Sequence, residues 1–223
     1  GVTSPETLRS YYQAAAASER ELRDAAGIID GVYDDHDYGV NDGGGDFEHK
    51  DAARALFLDH IVQAPADSPR RSQPGGLYGT RTFGSPPQQL KVVMLDTRYA
   101  RADFAIPSVG GSSWLPKAGQ VAGLVRGLSA LLGVGATHEG DLLGSEEQWR
   151  WLESELTNSS ASAHLIVSSV QVLTSSPIFE SWGHFPASRA RLLALLERAR
   201  PAGALLLSGD VVRTRRRAPK ADC

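Results

Sequence analysis

The sequence predicts an α/β fold with a largely parallel or mixed sheet, and three observations carry that prediction. Continuous apolar runs at 90–95, 164–172 and 204–207 have the composition of strands buried on both faces. Helical patterns separate them, the strongest over 186–200 with Leu192, Leu193, Leu195 and Leu196 on one side. Two of these runs end in acids, at Asp96 and Asp210, and a shorter run over 28–33 leads into Asp34 and Asp35. Ligands of α/β sheets gather at the carboxyl ends of strands, so these acids are expected to converge.

Each element follows from local chemistry. Residues 4–26 read as one helix. Ser4 caps it, Pro5 suits its first turn, Glu6 favours its positive end, and Gly27 stops it. The run 28–33 reads as a short strand. Helical spacing resumes over 47–63, with Ala52, Ala55, Leu56, Leu58 and Ile61. A Pro/Ser/Arg/Gly loop fills 64–76, and 77–83 alternates like a half-buried strand before the turn at 84–87. The stretch 104–145 is rich in Gly and Ser, with a weak helical pattern around 121–132, and reads as an insertion or lid. Ser145 caps a further helix with Glu146 and Glu147 in its first turn.

Bulk composition excludes several classes. The chain has 223 residues, 41% apolar and 22% charged, as in a soluble globular protein. A net charge of −3 gives no reason to expect a nucleic-acid partner. The single cysteine, Cys223, allows neither an intrachain disulfide nor a cysteine-held metal. No apolar run reaches the roughly 20 residues of a membrane span. The chain opens at Gly1 and its only methionine is Met94, so the start of translation is expected upstream. Any targeting segment is expected there too, which leaves a secreted or organellar location open.

The most informative segment is YDDHDYGVNDGGG, residues 33–45. Asp34, Asp35, His36, Asp37 and Asp42 lie within ten positions. Crowded carboxylates repel and must be hydrated, paired or bound to a cation. A hard cation meets all three needs, because it takes oxygen ligands and neutralises several carboxylates together. With Asp35 and Asp210 as ligands, Asp34 or Asp37 joins them or holds the waters of the metal. A metal pair clamps a phosphate and lowers the pKa of a bound water. His36 then hydrogen-bonds the phosphate or protonates the departing alkoxide. Arg98 and Arg101 offer planar donors to phosphate oxygens. Trp182 and His184 stand as substrate-side rim residues.

Plainer readings stand beside these. An Asp/Gly-rich loop also holds structural calcium, although the spacing D-x-D-x-D-G is absent. It can equally be a solvated acidic loop. The trio Asp96-Thr97-Arg98 serves equally as a structural ion pair at a strand end, and Trp182 and His184 as packing residues. The basic run at 213–220 reads as a disordered tail.

The same residues carry a resemblance. YDDHDYGVNDGG resembles the WDDHDYG-type signature of PhoD-like phosphatases, the alkaline phosphatase D branch of the calcineurin-like metallophosphoesterases. LYGTRTFG, VVMLDTRYAR, LLGSEEQWRWLESEL, IVSSVQVL, WGHFPASRARLLALL and LLLSGDV resemble that family too, in its order, over about residues 27 to 211. The resemblance implies a sandwich of mixed sheets flanked by helices, here truncated. It implies hydrolysis of phosphomonoesters and phosphodiesters at a binuclear or multinuclear centre of iron and calcium. Where calcineurin-like enzymes carry Gly-Asn-His-Asp/Glu, this chain carries Asp34-Asp35-His36-Asp37. That match gives Asp35, beside Asp34, the metal-ligand place and His36 the place of the catalytic histidine. Asp210, in SGDV, takes the place of the late metal-binding aspartate.

Three departures set further expectations. Val212 stands where the family usually has histidine, and RTRRRAPKADC resembles nothing in the family. No Gly-Asp-x-x-Tyr motif precedes Gly31. The chain is therefore expected to be a partial domain over 1–211 followed by a basic tail over 212–223. A full-length parent is expected to hydrolyse phosphate esters, and this chain to fold poorly and turn over slowly. The alternative is a non-catalytic metal- or phosphate-binding domain.

Overall fold

The computed structural model describes residues 4–106, 118–134, 138–174 and 176–209. Four strands form one mixed sheet in the order β1 (Gly79–Phe83), β2 (Leu90–Leu95), β3 (Ala163–Ser168) and β4 (Ala204–Ser208). β1 pairs antiparallel with β2 across the loop 84–89. β2 and β3, and then β3 and β4, pair in parallel, which requires long crossovers. Leu95, Ser168 and Ser208 share one register position, so the carboxyl ends of three strands lie side by side.

The first crossover carries α5 (Ala118–Leu131) and α6 (Glu146–Thr157), and the second carries α7 (Pro186–Ala199). Ser145 caps α6 as expected, its hydroxyl accepting from the Gln148 N–H at 3.3 Å. α6 and α7 supply Trp149, Leu152, Leu156, Leu192 and Leu195 to a core with Val93, Leu95 and Ile166 of the sheet. A second core lies N-terminal to the sheet. It joins α1 (Pro5–Ser18), α3 (Asp35–Tyr38) and α4 (Lys50–Phe57) through Leu8, Tyr12, Tyr33, Tyr38, Leu56 and Phe57. No helix among the described residues is long and apolar enough to cross a membrane.

Several elements differ from expectation. The helix over 4–26 is broken into α1 and α2 (Arg20–Ala26) at Glu19. Ser18 bonds its hydroxyl back to the Ala15 carbonyl at 2.9 Å, a competing bond that bends helices. The expected strand over 28–33 pairs with no strand among the described residues. Arg70 takes its polar groups instead, donating to Asp30 Oδ1 at 2.5 Å and to the Gly31 carbonyl at 2.5 Å. The helix over 47–63 is α4 followed by a wider turn, Leu58–Val62. β3 ends at Ser168, where the Ser168 hydroxyl bonds the Val170 carbonyl at 2.7 Å and turns the chain away. β4 is buried less than its apolar run suggests, with Leu205 and Leu207 62% and 49% exposed. It is an edge strand among the described residues. Of the stretch expected as an insertion, α5 is described, while 107–117 and 135–137 lie outside the described residues, as does the tail over 212–223.

Candidate functional site

The site forms where the two cores meet, beyond the carboxyl end of β2. Its anchor is Asp96, 1% exposed. An ionised carboxylate at that depth needs its lone pairs filled. Asp96 Oδ1 accepts from the backbone N–H groups of Arg98 and Tyr99, both at 2.9 Å. Oδ2 accepts from the Tyr33 hydroxyl and the Leu77 N–H, both at 2.8 Å. The backbone of Asp96 is clamped by the Gln148 amide, which accepts from its N–H and donates to its carbonyl, each at 2.9 Å. Gly76, at φ +122°, makes room for it, since a Cβ there would collide with the Asp96 carboxylate. Asp96 therefore builds the strand-end turn and ties β2 to Tyr33, just ahead of the acidic motif.

That turn aims Arg98 into the interior with no exposed side-chain surface. Its guanidinium makes a bidentate pair with Glu180, Nη1 to Oε1 at 2.8 Å and Nη2 to Oε2 at 2.6 Å. Nε reaches Asp34 Oδ1 at 2.9 Å, Nη2 also bonds Asp34 Oδ1, and Nη1 reaches the Gly43 carbonyl at 3.4 Å. All five N–H donors of the arginine are thus engaged. Burial alone disfavours its charge, but Glu180 and Asp34 outweigh that and hold its pKa above the usual arginine value. Burial also pushes Glu180 up to about 7, against the pull of Arg98.

The acidic motif arrives on α3 rather than at the end of a paired strand. The Asp34 N–H donates to Asp37 Oδ2 at 3.3 Å, which turns Asp37 back on the helix start. Asp35, 8% exposed, uses Oδ1 to accept the His36 N–H at 2.8 Å and Oδ2 to accept the Asp42 N–H at 3.1 Å. Asp42 adopts a left-handed backbone, φ 53°, which asparagine and aspartate tolerate best. Gly44 admits Arg101, whose Nη2 would lie 2.7 Å from a Cβ at that position. Arg101 donates to the Asp42 carbonyl, and its buried Nε has no hydrogen-bond partner among the described residues.

Asp35, Asp42 and Glu180 each offer a carboxylate oxygen within 4.8 Å of the others. All three donors are hard oxygens, the type that calcium, magnesium and manganese take. The donor set therefore fits one hard cation. Among the described residues these three carboxylates complete no coordination shell by themselves, since each ion takes about six or more ligands. Asp42 is in turn paired with Arg126 of α5, Nη2 to Oδ2 at 2.8 Å.

The structure distributes the expected site residues unevenly. Asp35 belongs to the carboxylate cluster. Asp34 lies beside it, bound by Arg98. His36 is open to solvent, its side chain 73% exposed and its Nε2 3.9 Å from Asp35 Oδ2. Arg98 is spent on Asp34, Glu180 and Gly43, so it positions carboxylates rather than presenting donors to a phosphate. Trp182 is fully buried, donating its indole N–H to Ser168 Oγ at 3.0 Å and packing edge-on against Trp149. That makes it a core residue, not a rim residue. His184 accompanies Arg126 along a cavity of about 190 Å³. Its Nε2 lies 2.9 Å from the Phe179 carbonyl, and burial holds its pKa below the usual histidine value. Asp210 lies outside the described residues. Sequence reasoning missed Glu180. Its one local signal is an acid wedged between Ile178-Phe179 and Trp182, where no helical or strand period marks it.

Comparisons with known proteins complete the description. A model of the family PhoD-like phosphatase matches residues 29–215. A solved structure described as "Structure of PhoD" matches with a TM-score of 0.54 and 21% identity, covering 80% of this chain and 33% of that one. At that identity the likeness establishes the fold, and this chain spans about a third of the length of its solved counterpart. No curated protein matches the chain.

Proposed function

The chain belongs to the PhoD-like phosphatase family, and on that premise we propose that it carries part of a metal-dependent phosphoesterase site. Its substrates are phosphomonoesters or phosphodiesters. The observation that carries this reading is the meeting of Asp35, Asp42 and Glu180 within 4.8 Å of one another, beside the exposed His36. Oxygen donors at that spacing suit a hard cation; calcium and iron are the identities proposed here. The cation, once bound, supplies Lewis-acid polarisation of the phosphoryl group and a water acidified to neutral pH.

The chain's own residues do the rest. Asp35, Asp42 and Glu180 hold the cation, with Asp210 proposed to add to them. Arg98 fixes Glu180 and Asp34 so that their oxygens do not drift apart. His36 stands free to give a proton to the leaving alkoxide, within reach of solvent for its return. Arg101 lends positive charge behind Asp42. Because three carboxylates satisfy one cation incompletely and two cations poorly, turnover by this chain alone is slow.

A second reading is favoured by one observation. Arginines already neutralise Asp34, Glu180 and Asp42. A domain that binds phosphate or metal without turnover has the same charge pattern. Metal analysis with hydrolysis of p-nitrophenyl phosphate and a diester analogue separates the two. Turnover that vanishes in Asp35→Asn and His36→Ala supports the phosphoesterase. Bound metal with no turnover in wild type supports the binding domain, and neither metal nor turnover removes both.

A further inference from the structure

Beside the carboxylate cluster lies a cavity that the hydrolytic reading does not use. It encloses about 190 Å³ and is lined on its apolar side by Ile106, Ala130, Val134 and Pro177. Its polar side carries His184, Arg126 and Ser176. An apolar cavity of roughly 150 Å³ accepts a benzene ring, so this one has room for a single ring or a short branched alkyl group. The guanidinium of Arg126 joins the two spaces. The residue is 4% exposed, one edge bonds Asp42 of the cluster at 2.8 Å, and its side chain lines the cavity. Phe104 stacks beneath it, the ring centroid 4.5 Å from Cζ, which fixes the plane of the fork.

The pairing of Arg126 with Asp42 has a consequence for ligands. A cation among Asp35, Asp42 and Glu180 draws on the same Asp42 carboxylate that Arg126 bonds through Oδ2. Competition of that kind frees guanidinium donors at the cavity mouth, where an arginine fork matches a phosphate edge. We propose that this cavity is the pocket for the organic moiety of the ester, and that Arg126 of α5 anchors the phosphoryl group at its mouth. The substrate class is then a phosphate ester of a small, uncharged alcohol about one ring in size. The organic group of a nucleotide or a phosphorylated protein is larger than about 190 Å³ holds. The apolar lining and Arg126 together set this specificity, and α5 supplies both Arg126 and Ala130. This inference rests on the phosphoesterase reading and names the substrate that reading leaves open.

Titration calorimetry with inorganic phosphate, methylphosphonate and the non-hydrolysable phenylphosphonate tests it, in calcium-containing buffer. The wild-type chain is expected to bind phenylphosphonate about tenfold or more tighter than methylphosphonate. Ala130 is exposed on α5, so Ala130→Phe fills the cavity without disturbing a core. It is expected to erase the preference for the ring. Arg126→Gln is expected to weaken all three ligands by about tenfold or more, with partial recovery in Arg126→Lys. Equal affinity for the two phosphonates while phosphate still binds overturns the pocket and leaves the phosphoesterase reading standing. A ring preference that survives Ala130→Phe, or anion affinity that survives Arg126→Gln, also overturns it. Failure of all three ligands to bind wild type removes the phosphate site itself and the pocket with it.

Discussion

Replacing Arg98 by alanine is the most demanding perturbation of the site. The side chain has no exposed surface, and among the described residues it is the group that holds Glu180 to Asp34. Removing one partner of a buried pair leaves the others desolvated and unpaired, which costs about 3–5 kcal/mol. Glu180 bears most of that cost, because its side chain is 6% exposed against 25% for Asp34. At roughly 2–4 °C per kcal/mol for a chain of this size, the melting midpoint falls by roughly 6–20 °C. Urea unfolding of the full chain followed by circular dichroism gives the free energy directly. An exposed pair serves as the contrast. Arg198 and Glu153 are 63% and 52% exposed, so Arg198→Ala changes stability by about 0.5 kcal/mol or less. The double variant Arg98→Ala/Glu180→Gln recovers part of the loss, since the neutral amide needs no counter-charge. An Arg98→Ala variant within about 0.5 kcal/mol of wild type refutes the assignment of this arginine as the organiser of the carboxylates.

Other predictions follow from the same contacts. Tyr33→Phe removes a buried hydroxyl bond to the Asp96 carboxylate and lowers stability by about 1.5–3 kcal/mol in urea titrations. Asp30 is depressed below its usual 3.8, because bonds from Arg81 and Arg70 outweigh its desolvation. Its contribution is therefore present above about pH 4 and lost as pH falls through the lowered folded-state value; Asp30→Asn flattens that acid limb in melts across pH. His36→Ala leaves stability within about 0.5 kcal/mol, since the side chain is 73% exposed, but lowers p-nitrophenyl phosphate turnover by roughly 10²–10⁴-fold.

The sheet was legible because its three parallel strands lie in apolar runs, β1 lies in an alternating one, and its helices carry cap and periodicity signals. β2, α6 and α7 begin and end within a few residues of expectation for that reason. The run over 28–33 misled because apolar composition alone does not supply a pairing partner. Arg70, forty positions away, claims its polar groups instead. The acids of 33–45 suggested a cation site, and the turn after α3 brings the Asp42 N–H onto Asp35 Oδ2. What sequence could not reveal was their electrostatic company. From sequence Arg98 reads equally as a phosphate donor or as a structural ion pair, and its five donors are engaged with Asp34, Glu180 and Gly43. Glu180 and Arg126 sit on no motif, because their roles arise from contacts across 82 and 84 positions of chain. Trp182 shows the converse. Its neighbours Gly183 and His184 suggest a loop at a rim, yet Ser168 and Trp149 enclose its indole.

In the proposed site Asp35, Asp42 and Glu180 share one cation. Calorimetric titration of the metal-stripped chain with calcium measures that claim directly. One saturable site per chain is predicted, weakened about tenfold or more in Asp42→Asn and in Glu180→Gln. A wild-type chain that takes up no calcium, or affinity undiminished in both variants, contradicts the claim.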